Sequence, residues 1–567
     1  MLSISGKKWT EISVNNTIIE KAKIENNFSD LISKIVISRK FTDFEINSIR
    51  NVNQLYNPFH KYKDFQKGKL ILENSLKNDE KIIIVGDYDV DGCVSTSLIV
   101  NFFNLLNKNV EYYIPNRFKD GYGASLSFIK KIVKKKPDLI IMVDCGSNSH
   151  DSINFLNSKK IKSIVIDHHD IYKPYPNCNC LINPKKECDY NEFDYFCSST
   201  IVYFFLDLIL KDTKKRNIFK ENLIYVLLAT ICDVMPLRKL NRSIAIDVLN
   251  NNLLKKDYLF KKILEFKKIN RPLEIDDFSF LIGPILNAAG RINDANDVVN
   301  LITCQNKKIK DKLILKLIKI NEKRKQLESR IINNIDIKKF ANTKNNVLII
   351  HNEIINEGLI GIIASRLKDY FDKPSIVMTL SNNIFKASAR STFDFDIGKF
   401  IKKCIDKDII LNGGGHHLAA GFSLKKDKID EFISFINQSY KKKEIYFSNQ
   451  YASKISLNAI NSRFYNDIKI LGPFGPQNEE PLFLIENIKV LTPKILKDKF
   501  ISFYAKSKSG KMVPSVSFNL IESEQNKRLL NTTREISLIA KIKENFWNNK
   551  KNLQLIVLDV ITETNKA

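Results

Sequence analysis

The chain has 567 residues, too many for one hydrophobic core, so about three or four domains are expected. Its 90 lysines and arginines outnumber its 63 aspartates and glutamates. The resulting net charge of +27 favours a polyanionic partner, although a general bias towards Lys, Asn and Ile would also produce it. No stretch approaches a membrane span and the start lacks an apolar signal core, which predicts a cytoplasmic protein.

Residues 1–50 are predicted to form a polar, helical lead-in, and residues 51–304 are predicted to form a doubly wound α/β domain. In that domain, short apolar runs alternate with helical patterns such as 125–135 and 150–158, which is typical of a parallel sheet. Helices over 198–232 and 243–266 are expected to cover the sheet. The predicted strands are Ile82–Val85, Val110–Ile114, Leu139–Val143 and Ser163–Ile166.

The second half of the chain contains three further predicted parts. Residues 305–340 are predicted to form one long basic connecting helix, because a dense helical pattern runs through 305–338 without Pro or Gly. A second α/β domain is predicted over 341–440, followed by a linker over 438–450. The last domain, 451–567, has about five short strands and little helix, which predicts a small barrel of the oligonucleotide-binding (OB) type.

Three carboxylates follow the first predicted strand of the first α/β domain, in the segment KIIIVGDYDVDG. Asp87, Asp89 and Asp91 occupy alternate positions where a parallel sheet builds its sites. They repel one another unless a cation is present, and hard oxygen ligands suit Mg²⁺ or Mn²⁺. The pattern also resembles a calcium loop, but its twelfth position, Leu98, is not an acid. A solvated acidic turn is the alternative.

Other strand and helix ends carry the same kind of side chain. Asp144 follows the strand LIIMV, and Asp167-His168-His169-Asp170 follows KSIVI. Asp233 follows the apolar helix LIYVLLATIC. Each could be a helix cap or a surface turn if it stood alone. Cys178, Cys180 and Cys188 lie close together, but their spacing fits no common zinc site.

Taken in order, these motifs resemble the DHH phosphoesterase superfamily and, within it, the single-strand-specific exonucleases. The resemblance spans nearly all of the chain after residue 50. It is carried by GDYDVDG, VDCGS, DHH and Asp233, and then by NRFKDGYG (116–123), GPILNAAGRIND (283–294), EGLIGIIASRL (357–367), SARS (388–391), GGHHLAAGF (414–422) and LGPFGPQNEEPLF (471–483).

The resemblance implies a centre with two divalent cations, manganese or magnesium, that hydrolyses phosphodiesters. It implies that Asp167 orients His168 and that His169 contacts the scissile phosphate. His416 is expected to face the metals across the cleft between the two α/β domains. The implied metal ligands are Asp87, Asp89, Asp91, Asp144, His168 and Asp233.

The resemblance also implies a site for a terminal 5′ phosphate, in which guanidinium groups suit the dianion. The glycine-rich run GGGHH (413–417) is expected to let backbone approach a phosphate. Two departures concern the second domain: Ile355-Asn356 stand where the family has Trp-His, and His417 stands where a small residue is usual. The implied phosphate-binding residues are Arg117, Arg291, Ser388, Arg390, Gly414 and Gly415.

The expected function is a 5′-to-3′ exonuclease that releases mononucleotides from single-stranded DNA in repair and recombination, with a helicase and a single-strand-binding protein as expected partners. One alternative is another phosphodiesterase of the superfamily, acting on short oligonucleotides or cyclic dinucleotides. The predicted barrel and the length of the chain oppose it. The other alternative is a non-catalytic nucleic-acid-binding scaffold, which the complete acidic set opposes.

Overall fold

A computed structural model describes residues 1–50, 55–117, 119–121, 123–251, 253–334, 346–351, 355–381, 383–440, 449–497, 500–519, 523–547 and 550–561. None of the described helices is both long enough and apolar enough to cross a bilayer. The elements of the first part of the chain are β1 (Trp9–Glu11), α1 (Asn16–Asn26), α2 (Asp30–Ser38), α3 (Asp43–Arg50), α4 (Lys63–Lys77), β2 (Ile82–Val85), α5 (Val90–Leu105), β3 (Glu111–Tyr113), α6 (Leu126–Val133), β4 (Leu139–Val143), α7 (His150–Ser158), β5 (Lys162–Ile166), β6 (Cys180–Ile182), α8 (Ser198–Ile209), α9 (Lys215–Phe219), α10 (Leu223–Cys232), α11 (Lys239–Asn250), α12 (Leu253–Lys256), α13 (Tyr258–Phe266), α14 (Ile275–Asp277), α15 (Gly283–Ile292), α16 (Asn296–Thr303) and α17 (Lys307–Asn334).

The first lobe is built on a five-stranded, all-parallel sheet with the order β3-β2-β4-β5-β6. Successive residues of β2 point to opposite faces, so Ile82 and Ile84 join one buried cluster and Ile83 and Val85 join another. Helices α5 and α8 cover the first face, and α6 and α7 cover the second. The predicted doubly wound sheet is therefore confirmed, with one further strand, β6, that the sequence did not reveal.

The direction in which strands are added reverses at β2, because β3 lies on one side of it and β4 on the other. In open α/β sheets the crevice at such a switch point, outside the carboxyl ends of the strands, is the usual ligand site. Asp87 follows β2 and Asp144 follows β4, so the topology brings these two carboxylates to the same crevice.

A mixed five-stranded sheet forms the second lobe, in the order β10-β11-β9-β8-β7, with only β7 and β8 parallel. Helix α17 joins the two lobes: Ile314 and Leu317 are buried in the first, and Leu327 and Ile331 pack on the second. The predicted residues 335–340 of this helix lie outside the described residues. The elements of the second lobe are β7 (Leu348–His351), α18 (Ile360–Phe371), β8 (Ser375–Ser381), β9 (Ile384–Arg390), α19 (Ile397–Asp406), β10 (Asn412–His416), β11 (Ala419–Lys425) and α20 (Ile429–Ser439).

The C-terminal domain is a closed barrel of five strands, β14-β15-β16-β18-β17, in which β14 also pairs with β17. The predicted OB-type barrel is confirmed. Most of the predicted linker, residues 441–448, lies outside the described residues. The elements of this domain are β12 (Asn449–Tyr451), β13 (Ser453–Ile455), α21 (Ser462–Lys469), β14 (Phe483–Leu496), β15 (Phe500–Lys506), β16 (Met512–Ser517), α22 (Glu524–Asn531), β17 (Ile536–Trp547) and β18 (Lys550–Ile561).

The N-terminal segment is part of the barrel domain rather than only a lead-in. Strand β1 pairs in parallel with β12, and the indole of Trp9 donates a 2.9 Å hydrogen bond to buried Asp559. Ile32 and Ile35 are buried in the same apolar cluster as the barrel interior. The N-terminal helix α2 therefore packs into the core of the C-terminal domain.

A buried arginine and a backbone hydrogen bond connect this domain to the first lobe. Arg242 of α11 is 1% exposed, and its guanidinium donates to Ser48 Oγ at 2.6 Å and to the carbonyl of Gly472 at 2.6 Å. The Leu237 backbone amide donates to the carbonyl of Pro476 at 2.8 Å. The segment LGPFGPQNEEPLF is thus a joint between the barrel and the first lobe.

Candidate active site

The three carboxylates after β2 are held by a tight turn into α5. Asp89 caps this helix, since its side chain accepts a 3.0 Å hydrogen bond from the Gly92 backbone amide. A Cβ on Gly92 would fall 2.5 Å from the carbonyl oxygen of Asp87, so only glycine fits at this position. The turn therefore places Asp87 and Asp91 in buried positions close to the sheet edge.

Asp91 is fixed by the first residues of α8. Its two carboxylate oxygens accept backbone hydrogen bonds from Ser198 at 2.7 Å and Ser199 at 2.9 Å. The positive end of a helix favours an anion at this position. The oxygen that accepts the hydrogen bond from Ser198 lies 3.7 Å from His168 Nε2. Helix α8 therefore holds the Asp91 carboxylate beside the His168 ring.

His168 lies at the centre of the carboxylates. Its Nε2 lies 3.3 Å from Asp144 Oδ1 and 3.5 Å from Asp233 Oδ2. Asp144 has a left-handed backbone, with φ of 59°, and its amide donates to Ser198 Oγ at 2.9 Å. Asp233 caps the C-terminal end of α10. With Asp91, three elements that are far apart in sequence thus each deliver one acid to the same imidazole.

The buried carboxylates of this site repel one another, and a bound cation would relieve that repulsion. Burial, and then the neighbouring Asp89, raise the pKa of Asp87 to about 8. Burial and surrounding carboxylates raise the pKa values of Asp144 and Asp233 well above their usual range. Burial lowers the pKa of His168 to about 4, which keeps its ring neutral and able to bind a metal.

The donor atoms fit divalent ions. Within the described part of the chain, Asp87 Oδ1, Asp144 Oδ1 and both ring nitrogens of His168 are buried without a hydrogen-bond partner. Buried polar atoms of this kind normally have partners, so these atoms are available as ligands. Ligand atoms within 4.8 Å of one another form three overlapping groups: Asp144 with His168 and His169, Asp91 with His168 and Asp233, and Asp87 with Asp89 and Asp144.

The prediction that Asp167 orients the His168 ring was wrong. Asp167 does not face the His168 ring; its Oδ1 lies 2.7 Å from Nδ1 of His169. The same oxygen accepts the backbone amide of His168 at 2.8 Å, because the turn after β5 folds back over the carboxylate. Burial alone would lower the pKa of His169, but Asp167 raises it to about 9. Asp167 therefore maintains a cationic imidazole beside the acids.

His416 of the second lobe reaches the first lobe. Its Nδ1 lies 2.7 Å from Asp170 Oδ2, and Lys185 Nζ lies 3.0 Å from the other oxygen of Asp170. A Cβ on Gly415 would fall 2.3 Å from the carbonyl of Ala419 in the adjacent strand, whereas Gly414 has open space. Gly415 is thus required by its own hairpin, whereas a side chain at Gly414 would meet no neighbouring atom, and the phosphate-binding role of both glycines stays a prediction.

Cationic side chains from both lobes meet beside the acids. Arg390 donates to Ser388 Oγ at 3.2 Å, and Arg291 donates to the carbonyl of Gly358 at 3.4 Å. Burial, followed by Arg117, Arg324 and Arg390, lowers the pKa of Arg291 to about 10. The structure therefore gathers the four side chains that the sequence assigned to a phosphate, and their mutual repulsion favours an anion there.

Several contributors were not identified from the sequence. One of them is Tyr88, which stands between Asp87 and Asp89 in the sequence. The guanidinium carbon of Arg117 lies 4.2 Å from the centroid of the Tyr88 ring. Gly358 is required because a Cβ would fall 1.9 Å from the Arg291 carbonyl. Ser198 and Ser199 were also missed, although Ser-Ser-Thr at the start of an apolar helix is a capping signal.

Three sequence-family models match the chain: the DHH family N-terminal domain over residues 81–231, the DHHA1 domain over 344–442 and the RecJ OB domain over 451–559. The chain therefore resembles proteins that carry a DHH domain followed by a DHHA1 domain. It is similar to the single-stranded-DNA-specific exonucleases named RecJ over almost its whole length.

The relatives are distant but extensive. RecJ of Bacillus subtilis is 26% identical over 548 residues, 94% of this chain and 68% of the relative. RecJ of Escherichia coli is 28% identical over 530 residues, 88% of this chain and 90% of the relative. The crystal structure of RecJ with Mn²⁺ from Thermus thermophilus covers 98% of this chain and 80% of its own, with a TM-score of 0.80 and 18% identity. That structural likeness shows a shared fold.

Proposed function

We propose that this chain is a metal-dependent exonuclease specific for single-stranded DNA. The observation that carries the proposal is the set of buried acids around His168 at the switch point of the sheet, with the cationic cluster of both lobes beside it. The RecJ relatives are named as single-stranded-DNA-specific exonucleases, and their family-specific OB domain is present here as a closed barrel.

Two divalent cations, Mn²⁺ or Mg²⁺, are proposed as cofactors, as in the solved Thermus RecJ complexes with those ions. One would be held by Asp87, Asp89 and Asp144, and the other by Asp91, His168 and Asp233. When bound, such a pair activates water and stabilises charge that develops on a phosphodiester. The bond broken joins phosphorus to the 3′ oxygen of the first nucleotide, and water supplies the new oxygen.

The chain's own side chains would position the strand around that bond. His169, held as a cation by Asp167, can donate a hydrogen bond to a phosphate oxygen. His416 and Asp170 would close the cleft from the opposite lobe. No separate general base among the side chains is required by this arrangement.

Polarity is proposed to come from the cationic cluster. Arg117, Arg291 and Arg390 with Ser388 offer three guanidinium groups and a hydroxyl, a suitable pocket for a terminal 5′ phosphate. A strand anchored there would present its first internucleotide bond to the acids. The proposed reaction is then 5′-to-3′ hydrolysis that releases one mononucleotide per step.

The outer face of β15 and β16 is the proposed binding surface of the barrel. Tyr504, Met512 and Phe518 are exposed there, and the ring of Phe518 lies 5.3 Å from that of Phe500. OB domains use this face to bind oligonucleotides through stacking and charge. Removing both Tyr504 and Phe518 rings should weaken binding of a long strand without reducing its salt dependence, because no phosphate contact is lost.

An enzyme of this kind needs a free single strand. We therefore propose that a helicase supplies the strand and that a single-strand-binding protein shares it, in DNA repair and recombination in the cytoplasm. Co-purification of this chain with such proteins, with and without nuclease treatment to remove bridging DNA, would test the partners.

The activity is tested with purified protein and a labelled 30-nucleotide strand, presented either alone or as a blunt duplex. We expect rapid degradation of the single strand with Mn²⁺, none with a chelator, and little degradation of the duplex. Equal rates on the two substrates, or full activity with the chelator, would contradict the proposal.

A further inference from the structure

A large aromatic side chain is exposed beside the active site, in a part of the chain that the mechanism does not use. Residues Phe278–Ile282 form a π-helical turn between α14 and α15. Phe278 and Ile282 are fully buried, but Phe280 is 81% exposed. A π turn inserts an extra residue into a helix, which moves one side chain off the packed face, and such turns are frequent at functional sites.

The π turn packs on the segment that carries a metal-binding acid. Cys232 Sγ donates to the carbonyl of Phe278 at 3.8 Å. A Cβ on Gly283 would fall 2.4 Å from the same sulfur, so the helix start lies directly against it. Cys232 precedes Asp233, whose carboxylate lies 3.5 Å from His168. Phe280 thus lies two residues from a contact with Cys232, the neighbour of one of the acids.

Phe280 is also aligned with the cationic cluster. With Pro284, Asn287 and Arg291 it follows the spacing i, i+4, i+7 and i+11, which places all four on one stripe of the helix. Asn287 Oδ1 accepts the backbone amide of Val90, between Asp89 and Asp91, at 3.2 Å. The stripe therefore runs from Arg291 of the cluster, past the acids, to Phe280.

The other end of this segment points to the barrel. Asp276, at the beginning of the segment, forms an ion pair with Lys543 of β17. The barrel therefore lies next to the Phe280 end of the stripe, so a strand that runs from Arg291 to the barrel can pass along it. At 1.5 Å per residue, Phe280 lies about 10 Å along the helix axis from Asn287, a distance of a few nucleotides.

We propose that Phe280 stacks on a base of the incoming strand, a few nucleotides downstream of the bond that is cut. This inference rests on the proposed function, and it adds a site for the base of a downstream nucleotide. Every base has a flat π face, so this contact would hold the strand without selecting its sequence. It would keep the strand engaged after each mononucleotide leaves, which contributes to processivity.

The test measures strand affinity with Phe280 changed, in an Asp144→Asn background so that the strand is not consumed. Aromatic stacking contributes 1–3 kcal/mol per base, so Phe280→Ala should weaken binding roughly 5- to 140-fold. Phe280→Trp should retain affinity, whereas Phe280→Leu, which is apolar but not planar, should lose most of it. Tyr370→Ala is the matched control, since Tyr370 is 45% exposed at the far end of α18.

A second measurement locates the contact. Single abasic nucleotides are placed in turn at positions one to eight of the strand, and each strand is measured with both proteins. One position should weaken binding by the parent and have no further effect in Phe280→Ala. The inference is overturned if Phe280→Ala binds as tightly as the parent, or if the abasic effects are the same in both proteins. If the parent itself does not bind single strands, the proposed function has failed instead.

Discussion

Arg390 offers the sharpest test of how the chain would recognise an end. It lies on β9, where its guanidinium donates to Ser388 Oγ at 3.2 Å and to the backbone carbonyl of Ala389 at 2.9 Å. Burial lowers its pKa from the usual value, and it contributes to the low pKa of Arg291. The change to examine is Arg390→Ala.

The expected loss follows from one charged hydrogen bond to a phosphate. Such a bond contributes about 1.5–3 kcal/mol. At 1.4 kcal/mol per tenfold, Arg390→Ala should reduce the preference for 5′-phosphorylated over 5′-hydroxyl strands by roughly 10- to 140-fold. Stability should not fall, because removing one cation relieves repulsion on Arg291. The melting temperature without DNA should therefore be unchanged or slightly higher.

The assay compares initial cleavage rates on two strands that differ only in the 5′ phosphate. Lys386→Ala is the matched control: Lys386 lies on the same face of β9, four residues away, and contacts Ser423 instead of the cluster. It should keep the parent's preference. If Arg390→Ala keeps the full preference, or if Lys386→Ala loses it equally, then the phosphate pocket has been assigned to the wrong residues.

Three further changes test other parts of the account. Asp144→Asn withdraws a charge that two of the ligand groups share, so it should abolish hydrolysis. It should also remove most of the increase in melting temperature that Mn²⁺ gives the parent protein, and an unchanged increase would contradict the metal assignment. Gly358→Ala should reduce activity at least tenfold, since its Cβ would collide with the Arg291 carbonyl. Gly421→Ala is the control and should keep activity, because the nearest atom to its Cβ is 3.8 Å away. Equal activities of the two variants would contradict the need for glycine at position 358. Arg242→Ala should lower stability by about 2–5 kcal/mol by leaving buried acceptors unpaired, measured by urea denaturation; a loss below 1 kcal/mol would refute this role for the joint.

The sheet and most of the acids were predictable from local sequence. Four-residue apolar runs such as Ile82–Val85 are typical of buried parallel strands, and their carboxyl ends meet at one edge. The positions of Asp87 and Asp144 at one sheet edge therefore follow from the sequence alone. The strand Cys180–Ile182 was missed because it is short and lies among Asn and Pro residues that usually mark loops.

What could not be predicted depends on contacts between distant residues or on the shape of one turn. Asp91 takes its hydrogen bonds from Ser198 and Ser199, more than one hundred residues later. Asp167 pairs with His169 instead of His168, because the direction of each ring is set by the turn after β5. Trp9 and Asp559 meet across the whole length of the chain. Periodicity and motif spacing carry no information about these pairs.

The central claim is a metal-dependent exonuclease that starts from the 5′ end of a single strand. It is tested most directly with two otherwise identical 5′-phosphorylated strands, one carrying a radioactive 5′ phosphate and the other a fluorophore at its 3′ end, each incubated with the protein and Mn²⁺. The account predicts that the radioactive label appears at once as a mononucleotide, while the 3′ label passes through progressively shorter strands. Immediate release of the 3′ label, or internal fragments from both strands, would contradict it.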